Sequence, residues 1–89
     1  MEITFDPAKR ERTLMGRGLD FARSAEVFAT AVATFIDTRS DYGERREVTV
    51  GYLDGRMVIV VWTERDRVCR IISMRKANER EQARYRPRR

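Results

Sequence analysis

Up to about Phe28 the apolar residues of this chain recur at helical intervals, and from Val48 onward they alternate or run without a break. That change of period divides the chain into a helical beginning and a sheet-forming remainder. Residues 2–5 (Glu-Ile-Thr-Phe) predict a short strand ahead of the helices. Asp6-Pro7 then supplies an N-cap and a proline at the first helical position, where its missing N–H leaves no bond unmade. This first helix is expected to reach about Met15, with Gly16 and Gly18 flanking its end. A second start falls at Asp20, and Phe21, Ala25 and Phe28 form one apolar stripe on a helix over residues 21–29. Val32 to Ile36 turns β-like, and residues 37–44, polar with one glycine, read as a loop.

The second half carries the clearest pattern. Val48 to Leu53 is a strand, and Asp54-Gly55 is a two-residue hairpin signal, because both residues tolerate positive φ. Met57 to Trp62 has no polar break, which predicts a strand covered on both faces. The chain turns again around Glu64-Arg65-Asp66, and Val68 to Met74 forms a further strand. Asn78 with Glu81 has the spacing of a capping box and opens a last short helix, for which Ala83 and Tyr85 are the apolar anchors. The expected fold class is α+β: N-terminal helices packed on a twisted antiparallel sheet of about four strands, then a short C-terminal helix. The 89 residues are enough for one domain, 1–89, and too few to enclose a deep cavity, so a site would be a shallow groove.

Composition changes this picture in one respect. Charged residues are 37% of the chain and the net charge is +5, so the partner is expected to be an anion: nucleic acid, an anionic membrane surface or an acidic protein. Of 19 basic residues only Lys9 and Lys76 are lysine, leaving 17 arginines. Arginine's planar fork grips phosphate or carboxylate through two bonds, but GC-rich coding raises arginine too, so the excess alone does not choose among these partners. Cys69 is the sole cysteine, lies in a strand pattern and reads as a small core residue. With no secretory signal and no long apolar span, the expected location is the cytoplasm, with no membrane contact.

Histidine is absent. That removes a histidine nuclease pair, a Ser-His-Asp triad and histidine metal ligands. Asp37, Asp41 and Glu44 are close enough in sequence for a Mg²⁺ site, although a solvated loop is the favoured reading; no metal or cofactor is expected. Arginine, lysine, tyrosine, serine and carboxylate remain. That set suits cleavage of RNA, which carries its own nucleophile in the 2′-OH; the protein need only align it, move its proton and neutralise the phosphoryl oxygens. Arg65, Arg70 and Arg75 fall on the last hairpin. Strict alternation puts Arg70 with Val68, Ile72 and Met74, and Arg75 on the other side, so the two share a site only if the strand bulges or ends near Met74. Arg70 among apolar neighbours is either a ligand-binding group, half of a buried ion pair or an edge arginine reaching out of the core. Lys9 shares a helix face with Arg12, which is either part of a site or a solvated surface. Trp62 and the phenylalanines read as core, leaving Tyr42 and Tyr85 as the aromatics near solvent.

Several segments in order resemble the BrnT family. They are Phe5-Asp6-Pro7-Ala8-Lys9, Gly18-Leu19-Asp20-Phe21, Ala25-Glu26-Val27-Phe28, Arg39-Ser40-Asp41-Tyr42-Gly43-Glu44-Arg45-Arg46, Gly51-Tyr52-Leu53-Asp54-Gly55-Arg56, Val60-Val61-Trp62-Thr63-Glu64-Arg65 and Arg70-Ile71-Ile72-Ser73-Met74-Arg75-Lys76-Ala77. The resemblance runs from about residue 4 to residue 85. It implies a RelE-like fold and a ribonuclease toxin of a type II toxin–antitoxin pair, blocked by a BrnA-type antitoxin that also binds DNA, so that the toxin meets DNA only through it. Carried onto matching positions it implies Lys9, Arg65, Arg70 and Arg75 as catalytic and Tyr42 and Lys76 as contacting substrate; Arg17, where the chain departs from the family, is expected to contact substrate as well. The chain departs from the family at Thr13-Leu14-Met15-Gly16-Arg17-Gly18, where the family usually reads Asn-x-x-Lys-His-Gly. Arg17 stands in place of the histidine, and an arginine binds phosphate but is a poor base. The alternative expectation is therefore a weakly active or inactive relative that binds antitoxin and assists repression.

Overall fold

A computed structural model describes residues 2–38 and 43–86. Its elements are β1 (Glu2–Phe5), α1 (Pro7–Arg17), a 3₁₀ turn (Phe21–Arg23), α2 (Ser24–Ala29), β2 (Ala33–Ile36), β3 (Glu47–Leu53), β4 (Arg56–Arg65), β5 (Val68–Lys76) and α3 (Glu79–Tyr85). The class is α+β, as the periodicity predicts. The sheet has five strands rather than about four, in the order β1-β5-β4-β3-β2. It is mixed rather than purely antiparallel, because β1 runs parallel to β5, with Glu2 opposite Val68 and Phe5 opposite Ile71. Strands joined by hairpins announce their pairing locally; β1 finds its partner across most of the chain, and no local signal encodes that.

Turn and cap chemistry sets the element ends. Asp6 accepts a bond from the Ala8 N–H at 2.9 Å, which starts α1. Helix α1 runs two residues past Met15, through Gly16, and stops where Gly18 takes the left-handed conformation and donates its N–H to the Leu14 carbonyl. The expected helix over 21–29 is divided: Asp20 accepts from the Ala22 N–H and so opens a 3₁₀ turn, after which α2 continues from Ser24. Asp54 and Gly55 both have positive φ, as a type I′ hairpin requires. The next hairpin turns on Asp66 and Arg67, one residue later than expected at its tip, which leaves Arg65 as the last residue of β4.

Each sheet face has its own core. The 3₁₀ turn and α2 cover one with Phe21 and Val27, which pack with Leu19, Val58, Val60, Ile71 and Met74. Val48, Val50, Met57, Ile59 and Ala77 pack on the other, against Tyr85 of α3. The unbroken run of β4 is thus buried from both sides. Trp62 serves the first core, edge-on to Phe28 and donating its ring N–H to Thr49 Oγ1 at 2.9 Å.

The outer helices are held differently. No residue of α1 is buried. Arg10 ties it down by donating two bonds to Asp20, at 2.7 and 3.0 Å, while lying 5.7 Å from the Phe5 ring centre. The Arg10 bonds, followed by the Ala22 N–H, hold the Asp20 carboxyl below the usual carboxylate range. Helix α3 has the predicted capping box, with Asn78 and Glu81 each accepting from the other's backbone N–H at 2.9 Å. Ala83 is exposed and anchors nothing, and Tyr85 alone supplies the apolar contact.

Candidate functional site

Arg65, Arg70 and Arg75 lie on one face of the sheet, the face that carries α3. Ladder register establishes this. Arg75 pairs with Ile59, Arg70 with Thr63 and Arg65 with Val68, and Ile59, Val61 and Thr63 alternate onto the same side of β4. Strict alternation on β5 would separate Arg70 from Arg75, but the register shifts there: Val61 opposes Ser73 while Trp62 opposes Ile71, so Ile72 is an extra residue. Such a bulge reverses which side the following residues face. Arg70 consequently parts company with Met74, which is fully buried on the opposite side.

The three form a row. Arg65 and Arg70 are diagonal cross-strand neighbours, roughly 7–8 Å apart at the backbone. Arg75 stands five residues beyond Arg70, roughly 16 Å along the strand. Their surroundings differ. Arg65 donates to Glu44 at 2.7 Å, and Glu44 is held close because Thr63 donates to the Arg45 carbonyl at 2.7 Å. Arg75 is gripped by both oxygens of Glu81 at 2.7 Å. The Arg70 side chain is exposed and has no hydrogen-bond or ion-pair partner among the described residues.

Lys9 and Arg17 belong to a second basic surface at the sheet edge. Strand β1 ends opposite Ile71, so β5 continues past it with one edge unpaired by any strand among the described residues. There, α1 and β5 bound a groove of about 370 Å³ lined by Lys9, Arg12, Thr13, Arg17, Ile72 and Ser73. Arg17 donates to the Met74 carbonyl at 2.8 Å, which satisfies an acceptor of that open edge. Ser73, between Arg70 and Arg75 in sequence, lines this groove, so the two basic surfaces adjoin at the bulge.

Lys76 follows Arg75 and alternates away from it. It lines a cleft of about 490 Å³ with Tyr52, Arg56, Gln82 and Arg86 near the Asp54-Gly55 hairpin, away from the Arg65 end of the row. Tyr42 lies outside the described residues, as does Asp41 of the acidic loop. No cluster of three metal-ligating side chains occurs among the described residues, and Glu44 is engaged by Arg65 and by Arg46 at 3.6 Å. No helix among them is long and apolar enough to cross a membrane.

Several contributors escape a reading of residue order alone. Thr13 and Ser73 join the groove only through folding, and Glu44 and Glu81 reach their arginines across 21 and 6 positions. Phe35, expected in the core, is 42% exposed on β2 and stacks on Tyr85, ring centres 6.1 Å apart and planes 14° apart. Its alternation with Thr34 and Ile36 on a short strand was the only signal. Cys69 is buried as expected, and burial pushes its thiol up to about 11.

The family model for the ribonuclease toxin BrnT, of type II toxin-antitoxin system, matches residues 5–81. No curated protein matches the chain.

Proposed function

Because the chain belongs to the BrnT family of type II toxin–antitoxin ribonuclease toxins, we propose that it is a metal-free endoribonuclease acting in the cytoplasm and neutralised by a BrnA-like antitoxin. The observation that carries this reading is the bulge at Ile72, which aligns Arg65, Arg70 and Arg75 on one face. A row of guanidinium groups suits a single RNA strand, because each can hold a phosphate in register while the 2′-OH swings in line.

In the reaction, the 2′-OH gives its proton to solvent water as its oxygen bonds to phosphorus, and the bond to the 5′ oxygen breaks. The products are a 2′,3′-cyclic phosphate and a 5′-OH. Arg70, free of a carboxylate, stabilises the charge that builds on the phosphoryl oxygens, and Arg65 and Arg75 join it by exchanging Glu44 and Glu81 for phosphate. Lys9 supplies charge or a proton to the departing 5′ oxygen from the adjoining groove, where Arg17 holds a flanking phosphate. Lys76 contacts RNA further along, and Tyr42, outside the described residues, is a further RNA-contacting residue. The test is RNA incubated with the purified protein in EDTA. Cleavage at sites that a single 2′-deoxy substitution protects is expected; intact RNA beside a folded protein overturns the reading.

Arg17 favours a second reading, an antitoxin-binding module with little catalysis that reaches DNA only through the antitoxin. Arg17 occupies the position where the family usually carries histidine, and part of its guanidinium is committed to the Met74 carbonyl. Under this reading Arg17→His creates RNA cleavage where the parent protein has none. Equal cleavage by both proteins rejects it.

A further inference from the structure

We propose that the Phe35–Tyr85 stack is a nucleobase platform, on which one base of a single-stranded RNA rests while its neighbouring phosphate lies on the arginine row. This rests on the ribonuclease reading and adds to it a base-contacting subsite.

Position is the first ground. Phe35 pairs with Val48, Val48 with Val61, and Val61 with Ser73, so Phe35 stands on the same sheet face as Arg70 and Arg75. Phe35, Val61, Arg75 and Tyr85 line one small cleft of about 120 Å³.

Chemistry is the second. A lone exposed phenylalanine needs no explanation. Here its ring is stacked on a tyrosine, with the Arg84 guanidinium 5.7 Å from the centre of that tyrosine ring and Arg75 in the same cleft. The cleft's one carboxylate, Glu81, is bonded to Arg75. Flat apolar rings flanked by cations complement a ligand that alternates flat rings with anions, which is single-stranded nucleic acid. Duplex bases are stacked on one another and cannot reach such a surface. An apolar protein segment would cover Phe35 but offer no anion to the Arg84 guanidinium beside the Tyr85 ring.

The experiment uses a 2′-O-methyl oligonucleotide, which cannot be cut, and a set in which each base in turn is removed. Wild-type protein is expected to lose about tenfold in affinity at one abasic position, within the range of a single base–aromatic stack. That loss should vanish in Phe35→Leu and Tyr85→Leu and persist in Phe35→Trp, which keeps an aromatic face even where a leucine variant folds poorly. If no abasic position matters, or the loss is unchanged in both leucine variants, while Arg70→Ala weakens binding to the whole set, the platform is wrong and the arginine row stands. If Arg70→Ala changes nothing either, the ribonuclease face and the platform fall together.

Discussion

Glu81 grips Arg75 through both carboxylate oxygens at 2.7 Å, and it does so from the third residue of α3, whose capping box it also closes. One side chain thus holds a helix start and masks a cation of the proposed RNA face. The roles separate in Glu81→Gln, because glutamine can close the same box without the charge. The variant should keep α3 and bind single-stranded RNA more tightly. In the parent protein Arg75 reaches phosphate only by giving up Glu81, and the variant is spared that exchange. An unchanged affinity in a folded variant removes Arg75 from the RNA site.

Arg70 gives the converse case. It is exposed and unpaired among the described residues, so Arg70→Ala should leave stability within about 0.5 kcal/mol of the parent. If it stabilises the transition state, single-turnover cleavage should fall on the order of 10²–10³-fold, as when one donor to a developing oxyanion is lost. Cleavage at the parental rate shows that Arg70 does not touch the reacting phosphate.

The same residue shows where legibility in the sequence stops. The hairpins at Asp54-Gly55 and after Arg65 and the capping box at Asn78 depend on contacts within a few residues, and local pattern finds them; the doubly covered run of β4 is legible because its own composition has no polar break. The bulge at Ile72 is not: Ile-Ile-Ser-Met continues a regular strand as well as it makes an irregular one. Which side Arg70 faces is settled by register against β4, so a one-residue slip decides whether two arginines share a face. The parallel pairing of β1 and the partner Glu44 are hidden for the same reason, since each is a relation between distant segments. Phe35 escaped because an exposed aromatic on a short edge strand and a buried one have the same sequence pattern.

Gly51 tests how closely α2 lies on the sheet. A Cβ built there would stand 2.1 Å from the Val27 carbonyl oxygen, and that contact is backbone, which cannot rotate away. Gly51→Ala must push α2 off β3, opening the core around Val27 and Phe21. The expected loss is at least about 3 kcal/mol, in the range of severe core disruption, read as a fall in the denaturation midpoint at unchanged m-value. A midpoint within experimental error of the parent shows that α2 sits farther from the strand.

Cys69 supplies a pH dependence whose sign is fixed by burial. Its thiol is raised from 9.0 to about 11, chiefly because the low-polarity interior disfavours the thiolate. The folded protein therefore keeps a proton that the unfolded chain releases between those values. This contribution to stability is fully present below pH 9 and is lost as pH rises through 11. Tyrosine and lysine titrate in the same window, so the measurement is a difference: stability of the parent minus that of Cys69→Ala, followed by chemical denaturation. The difference should be flat below pH 9 and then turn against the parent. A thiol reagent at pH 8 should correspondingly label the denatured chain rapidly and the folded one slowly, since only thiolate reacts. Rapid labelling of the folded protein, together with a difference that stays flat to pH 11, places Cys69 in contact with water and not beneath the 3₁₀ turn and α2.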